Sequence, residues 1–160
     1  MINHKKFIFY NVVFITTSPD YIIHNLGIFS TLKLAKDKIV FSKKLPGYRD
    51  FTLENFKIIR YQILCPQSLK KSQIKFLYHL YSDVDCDEYS EYKDFGYYYY
   101  KSILNRDLKW IINHTIYGKR NKESFDFEIL EVDSNNNIWN EGFDLMDDNE
   151  KLIKNEFVNR

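Results

Sequence analysis

Two short stretches, Leu26-Gly27-Ile28-Phe29 and Phe95-Gly96-Tyr97-Tyr98, lie 69 residues apart and give the first indication of the fold. Each ends an extended segment and is followed by a segment with helical periodicity. At the same offset the apolar positions of the two helical segments coincide: Ile103, Leu104, Leu108 and Trp110 fall on Leu34, Ala35, Ile39 and Phe41. The repeated order predicts an internal duplication.

The sequence around the first stretch predicts a ββαβ unit, because two extended segments precede an amphipathic helix and a third extended segment follows it. The predicted elements are strands at Phe7–Ile15 and Tyr21–Phe29, a helix at Thr31–Lys44 and a strand at Phe56–Leu64. Ser30 is the expected N-cap, since its hydroxyl can accept a hydrogen bond from the first helical turn. Pro46 and Gly47 are expected to stop the helix.

The second copy follows the same order with a change of charge. It predicts a strand at Ile74–Tyr81 and then an acidic loop. Once the offset is lengthened by two residues, Phe127-Glu128-Ile129-Leu130 matches Phe56-Lys57-Ile58-Ile59. The basic residues Lys57 and Arg60 then correspond to the acidic residues Glu128 and Glu131. Because opposite charges on neighbouring strands stabilise pairing, we expect a pseudo-twofold arrangement to bring these positions together.

We therefore predict an α+β fold of two tandem ββαβ units, packed as one compact pseudo-twofold body with helices on one face of antiparallel sheets. The predicted boundaries are a basic first unit at residues 1–66, a linker at 67–73, an acidic second unit at 74–146 and a short C-terminal helix at 147–160. Acidic residues at the start of that last helix suit the positive end of its dipole.

Three motifs resemble a small bacterial domain family of unknown function that has a ββαβ pattern. They are Leu26-Gly27-Ile28-Phe29-Ser30, Lys44-Leu45-Pro46-Gly47-Tyr48-Arg49-Asp50 and Trp139-Asn140-Glu141-Gly142-Phe143. The order departs from the family pattern, because the tryptophan motif follows only the second unit. The resemblance covers residues 7–64 and, more faintly, 74–143. It implies the fold and carries no chemical activity with it.

Length and composition exclude several classes of protein. The chain has 160 residues, of which 44% are hydrophobic and 18% aromatic, and this excludes a disordered charged tail. Its apolar runs are shorter than the roughly 18–20 residues that a membrane helix requires, and two cysteines are too few for a disulfide scaffold. The apolar segment after Lys5 and Lys6 lacks a cleavage signal. We therefore expect a cytoplasmic protein in which Cys65 and Cys86 are free thiols.

Charge is divided unequally between the halves, although the formal net charge is only +1. Residues 1–80 contain 13 basic and 4 acidic side chains, whereas residues 81–160 contain 10 basic and 18 acidic ones. The 18 lysines occur beside 14 asparagines and one alanine, a bias typical of AT-rich genomes, so lysine content alone does not indicate nucleic-acid binding. The division suits either halves that attract each other or a face that meets an oppositely charged partner.

The acidic segment at residues 83–94 has the clearest pattern of oxygen ligands. Positions 1, 3, 5, 9 and 12 of an EF-hand count are filled by Asp83, Asp85, Asp87, Glu91 and Asp94. Position 6 is Glu88, where that loop requires glycine, and predicted strands replace the flanking helices. We therefore predict a solvated acidic loop and no metal site. A further interpretation is a phosphate mimic that enters a basic groove on a toxin or nuclease.

Other potential catalytic groups follow no recognisable motif. The spacing of Cys65, His79, Cys86 and His114 does not match a zinc site. Five scattered glycines form no phosphate-binding loop, and no nucleophile elbow is present. The sequence therefore predicts a non-enzymatic protein without a cofactor.

A basic patch on the first helix supports an alternative function. Lys33, Lys36, Lys43 and Lys44 line the polar side of that helix. Tyr97–Tyr100 add aromatic rings of the kind that stack on bases in single-stranded nucleic acid. Alternation along a strand, however, sends two of these tyrosines into the core.

Together these patterns predict a protein-binding module of the immunity or inhibitor type, which neutralises a toxin or effector through a charged face. The predicted partner-binding residues are Asp83, Asp85, Asp87, Glu88, Glu91 and Asp94. The alternative is a nucleic-acid-binding regulator that uses the basic first half.

Overall fold

A computed structural model describes residues 3–17, 22–86 and 89–134. The predicted C-terminal helix at 147–160 and the tryptophan motif at 139–143 lie outside the described residues, as do Asp87 and Glu88.

The described chain contains six strands and three α-helices. In chain order they are β1 (His4–Thr16), β2 (Ile22–Phe29), α1 (Leu32–Ser42), β3 (Phe56–Pro66), β4 (Phe76–Cys86), β5 (Tyr89–Tyr98), α2 (Lys101–His114), α3 (Ile116–Arg120) and β6 (Phe125–Glu131). Short 3-10 turns at Leu53–Asn55 and Lys71–Gln73 precede β3 and β4. No helix within the described ranges is long and apolar enough to cross a membrane.

The strands form two three-stranded antiparallel sheets with the orders β2-β1-β3 and β5-β4-β6. Helix α1 contacts β1 and β2, and α2 contacts β4 and β5. This arrangement confirms the predicted α+β fold and its two similar units. The predicted acidic loop is wrong, because residues 83–86 continue β4 and residues 89–94 belong to β5.

The 69-residue offset describes matching local structures. Each hairpin contains a β-bulge, between Val12 and Val13 in the first unit and between Leu80 and Tyr81 in the second. The extra residue of each bulge is on the second strand, Leu26 in β2 and Phe95 in β5. The glycines that follow them, Gly27 and Gly96, have φ angles of +132° and +111°, which glycine adopts at little cost because it has no Cβ. Each glycine therefore allows the backbone conformation that the bulge of its hairpin requires.

The predicted two-residue shift in the third strand is wrong. Val12 pairs with Ile58, and its counterpart Leu80 pairs with Phe127, so the third strands keep the offset of 69 that relates Gly27 to Gly96, while the first strands are offset by 68. In this register Lys57 corresponds to Asp126, a true reversal of charge. Arg60, however, corresponds to the apolar Ile129 and not to Glu131.

The two units pack about a pseudo-twofold axis, because the contact of β2 with β6 repeats the contact of β3 with β5. The third strands thus pack on the second strands of the opposite unit, and the expected contact between their opposite charges is absent from the ion pairs of the described residues. One core is shared by both units: Phe9, Ile28, Ile63 and Cys65 come from the first and Ile74, Leu77, Tyr97 and Val132 from the second.

The start of α1 differs from the prediction. Thr31 is the N-cap, since its hydroxyl accepts a hydrogen bond from the Leu34 amide at 3.2 Å. Ser30 instead donates its amide and hydroxyl to the carboxylate of Asp133 at 2.7 and 2.6 Å. Asp133 lies just after β6, so this residue of the second unit holds the first helix in place.

The inward side of α1 also differs from the predicted apolar face. Its buried residues are Ala35, Lys38 and Ser42, whereas Leu34 and Phe41 are 38% and 49% exposed. A second core, confined to the first unit, lies beneath the helix; its buried residues are Val12, Phe14, Leu26, Phe29, Ala35, Tyr48 and Phe56.

Candidate functional site: the acidic face of the second sheet

One face of the β5-β4-β6 sheet collects most of the acidic side chains of its strands. Directly paired residues in an antiparallel sheet project to the same side. The pairs along this side join Tyr81 to Asp94 and Asp126, Asp83 to Tyr92, and His79 to Glu128. We define the acidic face as these paired positions together with Asp85, the next residue of β4 on the same side: His79, Tyr81, Asp83, Asp85, Tyr92, Asp94, Asp126 and Glu128.

The structure assigns the predicted acidic residues to different places. Asp83 and Asp85 are exposed on the acidic face. Glu91 pairs with Val84 and therefore projects from the opposite side of the sheet. Asp94 lies on the acidic face, and its side chain is largely buried, with 23% exposed.

Asp94 is committed to three contacts within the protein. Its carboxylate accepts hydrogen bonds from the Gly96 amide at 2.7 Å and the Tyr61 hydroxyl at 3.0 Å. It also forms an ion pair with the Nε2 atom of His79 at 3.3 Å. Burial raises the pKa of Asp94, but the contacts with His79, Gly96 and Tyr61 outweigh burial and leave this pKa below its ordinary value. Asp94 is therefore ionised and forms the base of the face.

His79 lies at the inner end of the acidic face and is fully buried. Its Nδ1 atom is 2.9 Å from Oε1 of Glu128, and its ring stacks on Tyr97 with the centroids 4.4 Å apart. Burial lowers the pKa of His79, but the contacts with Asp94 and Glu128 outweigh burial and raise it above its ordinary value.

Two tyrosines lie among the carboxylates. The rings of Tyr81 and Tyr92 are stacked with centroids 5.7 Å apart. Burial raises the pKa of Tyr81, and the negative charges of Asp126, Glu128 and Asp83 raise it further. The face therefore combines aromatic area with a concentrated negative potential, and its one basic group among the described residues, His79, is buried beneath it.

The equivalent face of the first sheet has a different chemistry. The positions that correspond to the acidic face there include Val13, Ile15, Ile23, Lys57 and Ile59. The two units thus share a backbone arrangement, and among the described residues this negative surface is on the second sheet.

Sequence reasoning missed Asp126 and Glu128 as members of this face. Their spacing of two residues on a strand matches that of Asp83 and Asp85, and this alternation places each pair on one side of the sheet. The mistaken two-residue shift of the third strand hid this pattern. It matched Glu128 with Lys57, so Asp126 was not recognised as the residue that pairs with Tyr81.

The predicted basic patch on α1 is partly used within the first unit. Lys33 forms an ion pair with Asp37 at 2.8 Å. The Nζ atom of Lys43 donates to the carbonyl oxygens of Arg49, at 2.7 Å, and Phe51. Lys36 and Lys44 are exposed. Half of the predicted patch is therefore engaged in intramolecular contacts.

No cluster of three or more histidine, cysteine, aspartate or glutamate side chains suited to a metal ion occurs in the described part of the chain. Cys65 is buried in the shared core, and burial raises the pKa of its thiol to about 11. Comparison with models of protein families, with curated proteins and with solved structures finds no match.

Proposed function

We propose that this protein is a non-enzymatic protein-binding module of the immunity or inhibitor type, which binds a basic surface of a toxin or effector through its acidic face. The observation that carries the proposal is the grouping of five carboxylates from three strands on one side of one sheet: Asp83, Asp85, Asp94, Asp126 and Glu128.

The chemistry of this face favours a protein partner with exposed lysine and arginine side chains. Asp83, Asp85 and Asp126 are exposed and can pair with cations. The stacked rings of Tyr81 and Tyr92 supply flat apolar area for guanidinium or ammonium groups, which are attracted to aromatic faces. A surface of one sign also accelerates association with an oppositely charged partner. A basic cleft that normally binds nucleic acid fits this description.

The experiment compares two triple variants of equal charge. D83N/D85N/D126N neutralises the exposed carboxylates of the acidic face, whereas E54Q/E91Q/E131Q removes three exposed charges elsewhere. The wild-type protein is used to capture a partner from cells of the source organism, and the partner is then purified. We expect a basic protein whose Kd rises at least tenfold with the first variant and less than twofold with the second, and rises with salt.

Three outcomes would contradict the proposal. They are capture of no protein at moderate salt, capture of a protein without a basic surface, and equal loss of affinity in the two variants. The nucleic-acid alternative is tested in parallel by gel-shift titration with single-stranded and double-stranded DNA. We expect no shift at low salt; binding that weakens steeply with salt would favour the alternative.

A further inference from the structure

His79 occupies a position that a neutral imidazole does not suit. Nδ1 faces Oε1 of Glu128 at 2.9 Å, and Nε2 faces Oδ1 of Asp94 at 3.3 Å. Ionised carboxylates only accept hydrogen bonds, and a neutral imidazole has one nitrogen that cannot donate. Only the imidazolium, which carries a proton on each nitrogen, places positive charge against both carboxylates. Nε2 is buried and makes no hydrogen bond within the described part of the chain, so its contact with Asp94 is an ion pair.

The same group connects the two units. The Asp94 carboxylate accepts a hydrogen bond of 3.0 Å from the hydroxyl of Tyr61, which belongs to β3 of the first unit. The ring of Tyr97 stacks on His79, and its hydroxyl oxygen accepts a hydrogen bond of 2.7 Å from the side-chain amide of Asn25, in β2 of the first unit. Each hydrogen bond crosses between the units, and both depend on groups that contact the imidazole ring.

We infer that protonated His79 is a pH-sensitive latch that holds the acidic face of the second unit against the first unit. As an imidazolium it fixes the Asp94 carboxylate where Tyr61 reaches it. Loss of its proton leaves Asp94 buried without its cation, and this weakens the contact between the units. The inference does not rest on the proposed function.

The groups around His79 come from four strands. The carboxylates are Asp94 of β5 and Glu128 of β6, and the phenols are Tyr81 of β4, Tyr61 of β3, and Tyr92 and Tyr97 of β5. Tyr81 is also acted on by the negative charges of Asp126 and Asp83. Burial raises the pKa of all four phenols, so they remain neutral through the neutral range. His79 is therefore the group that changes charge there.

The direction of the pH effect follows from these contacts. Because the folded pKa of His79 lies above its ordinary value of 6.5, the latch contributes fully below pH 6.5 and is lost as the pH rises through the folded pKa. The folded pKa of Asp94 lies below its ordinary value of 3.8, so its contribution is present above pH 3.8 and is lost as the pH falls through the folded pKa.

The first unit supplies the matched control. Asn11 and Asn25 occupy the positions of His79 and Asp94, and they are joined by a neutral hydrogen bond of 2.9 Å. The double variant H79N/D94N transfers this neutral pair to the second unit. It preserves the bulge and removes the titrating group.

The test combines NMR of the wild-type chain with urea unfolding of both proteins. We expect the pKa of His79 to exceed its ordinary value of 6.5, so that both ring nitrogens carry protons in most molecules at pH 6.5. We also expect the urea midpoint of the wild type to fall, relative to H79N/D94N, as the pH rises above 6.5. A single ring proton in most molecules at pH 6.5, or a pKa at or below 6.5, would overturn the latch even if the double variant failed to fold. Parallel pH profiles in the two proteins would do the same.

Discussion

Gly27 and Gly96 have the same role in the two units, because each provides the positive φ angle at the bulge of a hairpin. The amide of Gly27 donates to Oδ1 of Asn25 at 3.0 Å, and that of Gly96 donates to Oδ1 of Asp94 at 2.7 Å. In each unit the side chain two residues before the glycine therefore fixes the bulge. In the second unit that side chain is charged, and the bulge becomes part of the acidic face.

Alanine at each glycine separates backbone strain from crowding. At Gly27 a Cβ would lie 3.1 Å from the Phe29 ring, whereas at Gly96 it would meet nothing within 4 Å. Since both φ angles are unfavourable for alanine, we expect each variant to lose about 1–3 kcal/mol of unfolding free energy. Gly27→Ala should lose more because of the added contact. Urea unfolding measures both losses, and an unchanged stability of Gly96→Ala would contradict the assigned strain.

Some of these residues could be predicted from the sequence and others could not. The equivalence of Gly27 and Gly96 can be recognised in the sequence, because the apolar positions around Gly27 recur 69 residues later around Gly96. The contact of His79 with Asp94 is not visible, because the bulge changes which residues of β4 and β5 face each other. The partner of His79 on β6 likewise depends on a register that the apolar pattern did not specify.

At the scale of elements, the β4–β5 hairpin extends through a segment with few apolar residues. Aspartate is unfavourable in strands, and this composition favoured the mistaken prediction of a loop. Pairing nevertheless continues from Tyr81 and Asp94 outward to Asp85 and Ser90. The extension is supported by the Asp83 amide, which donates to the Ser124 carbonyl at 3.1 Å. Tertiary contacts thus override local propensity here.

The junction of α2 and α3 requires glycine for a different reason. A Cβ at Gly118 would lie 2.1 Å from the Ile111 carbonyl oxygen, at a point where the two helices meet. Because that oxygen belongs to the backbone, it cannot move without displacing α2. We expect Gly118→Ala to lower the unfolding free energy by about 1–3 kcal/mol or more.

Lys119→Ala serves as the control for Gly118→Ala, since Lys119 is exposed on the same helix; we expect it to change the unfolding free energy by less than about 0.5 kcal/mol. Circular dichroism during thermal unfolding measures both variants. If Gly118→Ala were as stable as the wild type, the close approach of the two helices would be refuted.

At the scale of the whole molecule, the shared core makes the two units interdependent. Phe9 and Ile28 of the first unit pack in one cluster with Leu77 and Tyr97 of the second, and all four are at most 5% exposed. The predicted boundaries at 66 and 74 separate the strands of the two sheets, yet they divide this cluster.

We expect the chain to unfold in one cooperative transition, because neither unit can lose its structure without exposing the shared core. Calorimetry should give equal calorimetric and van't Hoff enthalpies. Leu77→Ala should lower the stability of the entire transition by about 2–5 kcal/mol. Two separate transitions, or a variant that shifts only part of the signal, would show that the units are independent.

The pairing of Ser30 with Asp133 joins residues 103 positions apart and so fastens the end of β6 to the entrance of α1. A second fastening lies beside it, where the Asp133 amide donates to the Ile28 carbonyl at 2.9 Å. The end of the second unit is therefore hydrogen-bonded to the first unit, at the point where β2 leads into α1. A shortened polypeptide that stopped at Glu131 would keep all six strands, but α1 would lose the hydrogen bonds between Ser30 and Asp133 at its start.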